Sequence, residues 1–247
     1  MKRDMNDFLV PNAGIVNAFR NDNKRKVELA NCVLQIEWEI VSAISQFTDV
    51  HWLVVSHVQT IHEYHQQALL MAMARRPEIG MAVMRLACEL SRDLFRIAEE
   101  PALVDLWLQC RSMDGHSRHE KDYRKIFRFS TDDVTERSLY DLYNMFSNFG
   151  VHGHLPMTER LAIATEINGR NYMMTRRDPK VAISTFMLTL MSADLHSMLM
   201  LSKFKSAADR SGREVREYFG TLGATYMERM GPFHRYLEIF RKNGGHT

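Results

Sequence analysis

The sequence predicts an all-α protein, a multi-helix bundle carrying one small β-hairpin, on three observations. Six prolines and twelve glycines in 247 residues are few, which disfavours a turn-rich all-β fold. Apolar residues recur at spacings of three and four through most of the chain, the period of one helical face. One pair, Asn168-Gly169, breaks that period and sits between short β-prone runs. A chain that is 45% hydrophobic and 25% charged can bury a core and is not of a disordered composition. Its length suits one large domain.

Residues 1–22 are mixed and polar, with Pro11 and Gly14, and are expected as an N-terminal arm. Residues 23–247 are expected as a single helical domain. Val33, Ile36, Ile40, Ile44 and Phe47 form the stripe of a first helix starting near Asn23. Val54, Val58, Ile61, His65, Ala68 and Ala72 form that of a second, over roughly 49–75. Pro77 opens a third helix, at a position where its missing amide has no helical partner to lose. The apolar stripe there is Ile79, Val83, Leu86, Leu90, Leu94 and Ile97. Pro101 ends it and starts a short helix through Trp107. A charged, His-rich loop from Cys110 leads to another short helix near Lys125. Ser130 or Thr131 is the expected cap of the next helix, with Asp132, Asp133 and Glu136 in a first turn where the dipole favours acids. Its stripe is Leu139, Leu142, Phe146 and Phe149.

The hairpin is expected near 161–176. A long apolar helix follows Pro179 to about Phe204. A last helix spans about Gly212 to Lys242, with bends expected near Gly220–Gly223 or Gly231-Pro232. No internal repeat and no linker divides the chain.

A net charge of +2 provides no strong field to draw nucleic acid or cations. Cys32, Cys88 and Cys110 are odd in number and far apart, so neither a disulfide framework nor a zinc knuckle is indicated. The opening MKRDMNDFLVP has no apolar run after its basic residues, unlike a secretory signal. The most apolar stretch, Val181 to Ala193, is cut by Asp194 and His196 and is expected to stay out of a bilayer. The expectation is a reduced, cytoplasmic protein without membrane contact.

Two polar rows accompany the apolar ones. Arg85, Glu89, Arg92 and Arg96 follow a four-three-four spacing on the third helix, and Glu89 is placed to orient Arg85 towards an anion. Charge at that spacing is more often a solvated face. In the segment 137–154, Asp141, Asn144, Asn148 and His152 form a second row, beside Tyr140, Tyr143 and Ser147. The candidate catalytic residues are His152, Arg85 and Glu89. The candidate ligand-binding residues are Tyr140, Tyr143, Asn144, Ser147, Asn148 and Arg92. The two helices are expected side by side, their polar rows meeting at the edge of the shared contact.

No metal site is expected. His62 and His65, and His116 and His119, have an i,i+3 spacing, and His51 lies on the side of the first pair. A four-helix di-metal centre, however, needs Glu-x-x-His pairs, and no glutamate here is followed by histidine three residues later. His65 lies in an apolar stripe and reads as a hydrogen-bonded core histidine. Phosphate loops, nucleophile elbows and His-Glu-x-x-His are absent, and no cofactor is implied.

The segment from about Met81 to Leu155 carries Arg85-x-x-x-Glu89, then Trp107, then Leu139-Tyr140-x-x-Tyr143-x-x-x-Ser147-x-x-x-x-His152-Gly153. This resembles a bacterial family of all-helical proteins near the HEPN (higher eukaryote and prokaryote nucleotide-binding) and abortive-infection helical proteins. The resemblance covers about a third of the chain. It implies binding of RNA or a nucleotide, or metal-independent RNA cleavage, in a defence-like role. The cleavage chemistry of that family uses an Arg and a His with four to six residues between them, paired across a homodimer. This chain departs from it, because Met145, Phe146 and Ser147 stand where the arginine before His152 belongs. The bare spacing does occur at Arg111/His116, Arg229/His234 and Arg241/His246, about as often as composition gives by chance. The competing function class is a non-catalytic interaction or scaffold protein.

Overall fold

The structure is a computed structural model. It describes residues 5–111, 116–148, 162–167, 170–175 and 179–242. Among these residues, ten helices build an all-α architecture: α1 (Met5–Asp22), α2 (Lys24–Ile44), α3 (Trp52–Met73), α4 (Pro77–Glu99), α5 (Leu103–Arg111), α6 (His116–Ile126), α7 (Val134–Phe146), α8 (Pro179–Lys203), α9 (Lys205–Arg210) and α10 (Arg213–Lys242). Two strands, β1 (Ala162–Ile167) and β2 (Arg170–Thr175), pair antiparallel with Ile167 opposite Arg170. The pair Asn168-Gly169 between them lies outside the described residues.

Helix α8 is the axis. It packs against α2, α3, α4 and α7, so apolar or small side chains are buried on every side of it, from Ala182 and Phe186 to Leu199 and Met200. A helix apolar all round belongs in a core. By length and composition α8 also suffices to cross a membrane, contrary to the expectation, but 61% of its most apolar window is buried inside the protein. Three of the hydroxyls it takes inside are partnered locally: those of Thr185, Thr189 and Ser197 each donate to a carbonyl one turn back.

The stripes of α2 and α3 are buried as expected. The stripe of α4 is fully buried only in its last turns, at Leu94 and Ile97. Ile79 and Leu86 are exposed, and the core line is made up by Met81, Met84, Cys88, Ser91 and Phe95. Ser91 is buried without a stranded donor, because its one hydroxyl proton has two acceptors in reach, Ala87 O at 2.5 Å and His196 Nε2. The α3–α4 contact is tight: a Cβ on Gly80 would lie 3.1 Å from Ala68 O.

Residues 5–22, expected as an arm, are helical and anchored by Phe19, which is buried with its ring 5.2 Å from that of Phe186. Helix α3 ends at Arg75, the one non-glycine residue among those described with a positive φ, 56°. The Arg76 amide there donates to Met71 O, a Schellman-type closure in which glycine is the usual left-handed residue. The cap of α7 is Asp133, not Ser130 or Thr131. Its Oδ1 accepts from the amides of Thr135 and Glu136. Helix α10 runs unbroken through Gly220, Gly223 and Pro232.

Candidate functional site

Helix α7 is held beside α4 by charge. The buried Glu136 carboxylate takes Arg96 Nη2 at 2.6 Å and the Ser130 amide at 2.7 Å on one oxygen, and Lys203 Nζ at 2.8 Å on the other. Burial disfavours the Lys203 ammonium, but Glu136 and Glu99 outweigh that and raise its pKa. This clamp ties α4, α7 and the end of α8 together and sets the register of what lies above it.

Along that seam Arg85 and Glu89 of the α4 row meet Tyr143, a neighbour of the second expected row rather than a member of it. Arg85 Nε donates to Glu89 Oε1 at 3.1 Å, and the Tyr143 hydroxyl donates to the same oxygen at 3.4 Å. The guanidinium carbon of Arg85 lies 6.0 Å from the centre of the Tyr143 ring, within cation–π range. Tyr140 stacks on Tyr143 with centroids 6.3 Å apart, and Phe129 leans on both rings. Tyr140 is 42% exposed. The outcome is an aromatic face with one guanidinium fixed at its edge.

The other expected residues are distributed differently. Arg92 turns from the seam to Asp93 and Tyr123. Asn144 is half-buried, and Asn148 is exposed. Ser147 is buried, and its Oγ has no hydrogen-bond partner among the described residues. His152 lies outside the described residues, as do the side chains of Arg111, His116 and His119. The row on α4 is thus neither a solvated face nor a single cleft lining. Its members tether α4 to its neighbours, and only Arg85 and Glu89 stay on the aromatic face.

Three buried hubs went unread in the sequence. Asp93, fully buried, accepts from Arg92, from Trp107 Nε1 at 2.9 Å and from the Tyr123 hydroxyl at 2.5 Å. Glu37, fully buried, accepts from His62 Nδ1 at 2.7 Å and His65 Nδ1 at 2.6 Å, one on each oxygen. Burial alone would raise the Glu37 pKa, but the His65 charge and the two imidazole hydrogen bonds win and bring it down to about 2. The i,i+3 histidine pair is therefore paired with a carboxylate on the next helix. Among the described residues no group of three side chains is arranged to hold a metal.

Beyond His65, its ring 4.9 Å away, lies His196. Its Nδ1–H donates to Ser192 O at 3.0 Å, which leaves Nε2 as the acceptor facing Ser91 Oγ. Burial first, and His65 second, push the His196 pKa down to about 3, so the ring is neutral.

The third hub is Asp194. It bonds the Tyr226 hydroxyl and takes His234 Nε2 at 3.1 Å. The hydrogen bond to Asp194 raises the His234 pKa against partial burial.

Two of the hubs had a trace in the sequence. Glu37 stands at the stripe spacing of Val33, Ile40 and Ile44, and Asp194 and His196 interrupt the most apolar stretch. A charged residue at a core position needs a partner, which is the signal that could have found them. Comparison of the chain with protein-family models, with curated proteins and with solved structures finds no match.

Proposed function

We propose that the α4–α7 face binds a nucleotide, free or as an unpaired residue of single-stranded RNA. The observation that carries this reading is the aromatic platform of Tyr140, Tyr143 and Phe129 with the Arg85 guanidinium held at its edge by Glu89. A flat ring that is open on one side accepts a base, and a fixed cation beside it accepts a phosphate oxygen. Near-zero net charge fits one or two bound nucleotides better than a long duplex, whose recognition needs a basic surface. A defence-like role belongs to the same proposal and is drawn from the HEPN resemblance.

The test is a binding titration of the purified chain with adenosine monophosphate, a short single-stranded oligoribonucleotide and ribose phosphate. The base-bearing ligands bind and ribose phosphate does not. Tyr140→Ala weakens binding about 5- to 150-fold, the worth of one stacked base. Arg85→Ala weakens it while leaving the thermal midpoint nearly unchanged. If Arg85→Ala unfolds the protein, the Arg85–Glu89 pair is structural and the reading fails. If neither nucleotide nor RNA binds, the scaffold reading takes its place, with the exposed Trp38 and Trp52 as its first contact residues.

A further inference from the structure

Helices α1, α3 and α4 leave a groove between them, of about 670 Å³, on the side of α4 where the expected apolar stripe failed to be buried. Its floor and walls include Val16, Leu70, Met71 and Ile79. Leu70 and Ile79 are 45% and 44% exposed, so this is apolar surface left in water rather than packed. Contiguous apolar surface of this kind usually marks an interaction site. The volume is that of a small-molecule site.

Two arginines, Arg20 of α1 and Arg76 at the start of α4, line the same groove. Among the described residues neither has an acidic partner, whereas Arg85, Arg92, Arg96 and Arg229 are each paired with a carboxylate. Apolar walls and two unneutralised guanidiniums together select a ligand with one greasy end and one anionic end.

We propose that this groove binds a long-chain fatty carboxylate, its chain along Val16, Leu70, Met71 and Ile79 and its carboxylate on Arg20 and Arg76. The site is separate from the α4–α7 face and does not depend on the nucleotide reading. The chain supplies affinity in proportion to its length, because each buried methylene is worth about a fourfold gain. The guanidiniums supply selectivity for the anion by charge-assisted hydrogen bonds.

The experiment is calorimetric titration of the full chain with octanoate, decanoate and dodecanoate, each kept monomeric, and with dodecanol. Affinity rises about fourfold per methylene through the series, and dodecanoate binds about tenfold or more tighter than dodecanol. Arg20→Gln and Arg76→Gln each weaken dodecanoate about tenfold and leave dodecanol unchanged. Ile79→Asn, at an exposed position that does not endanger the fold, weakens both. Failure of dodecanoate to bind saturably to the folded wild-type chain overturns the proposal. So does dodecanol binding as tightly as dodecanoate, or loss of affinity in Ile79→Asn with none in either arginine variant, since the anion would then play no part.

Discussion

Removing the Glu37 side chain tests a fully buried polar hub that joins α2 to α3. In Glu37→Ala the Nδ1–H groups of His62 and His65, now 2.7 and 2.6 Å from a carboxylate oxygen, face a hole. A buried donor left without an acceptor costs about 1–3 kcal/mol, and there are two, so the sum is about 2–6 kcal/mol. Breaking a buried ion pair by deleting one member costs about 3–5 kcal/mol, which lies inside that range. Against a total stability of about 5–15 kcal/mol the loss is severe.

Glu37→Gln is the control. It keeps the volume and one carbonyl oxygen, which can serve His65. Its amide N–H then faces His62, which can move its proton to Nε2 once the exposed Gln66 amide, whose Nε2 lies 2.7 Å from that nitrogen, turns to present its oxygen. The Gln variant is therefore expected to lose only about 1–2 kcal/mol. Urea unfolding followed by far-ultraviolet circular dichroism, near neutral pH, reads both. An Ala variant within about 1 kcal/mol of wild type, or a Gln variant as damaged as Ala, refutes the reasoning.

Asp93→Ala strands Arg92, Trp107 and Tyr123 at once and is expected to cost about 3–5 kcal/mol in the same assay, with Trp107 emission shifting as its N–H loses its acceptor. Arg75→Gly relieves a left-handed backbone and is expected to raise stability by about 1 kcal/mol, read as a higher urea midpoint. The folded-state pKa of His196 lies below its unfolded value of about 6.5, so the unfolded chain binds the extra proton. Stability from this group is then present above about pH 6.5 and lost as pH falls, by about 1.4 kcal/mol per pH unit, until about pH 3. Glu37 adds a loss of the same sign from about pH 4.5 downward, as its carboxylate is protonated in the unfolded chain. His234, raised by Asp194, works the other way, and its contribution fades as pH rises through its folded value. Unfolding midpoints measured between about pH 8 and about pH 3 check the sum, and His196→Gln should flatten the slope.

Much of this fold was legible because apolar spacing and burial coincide on α2, α3 and α7. They part company on α4. There the core line runs through Cys88 and Ser91, residues that pattern reading counts as indifferent, while Ile79 and Leu86 remain in water. That quarter-turn of rotation carries Arg92 and Arg96 away from the expected cleft, to Tyr123 and Glu136. Arg85, Glu89 and Tyr143 were legible as neighbours because both helices advertise polar rows one step round from their stripes. The hubs were not, because Glu37 meets His62 across 25 positions of chain and Asp194 meets His234 across 40. No local spacing encodes such a pairing. Only the mismatch of a charge inside an apolar stripe hints at it.

The axial placement of α8 orders events during synthesis. Helices α2, α3 and α4 each bury part of their apolar surface on a segment that ends at Lys203. A ribosome that has released only the first 150 or so residues holds three amphipathic helices with no partner for one face. They can pair with each other but not close. The buried Ser91–His196 contact spans 105 positions and is among the last to form. Such a nascent chain offers sticky surface for as long as translation takes to reach α8, and a truncation before α8 keeps that surface permanently. In the finished protein the same helix should have the slowest-exchanging amides, because exposing them requires four neighbours to separate at once.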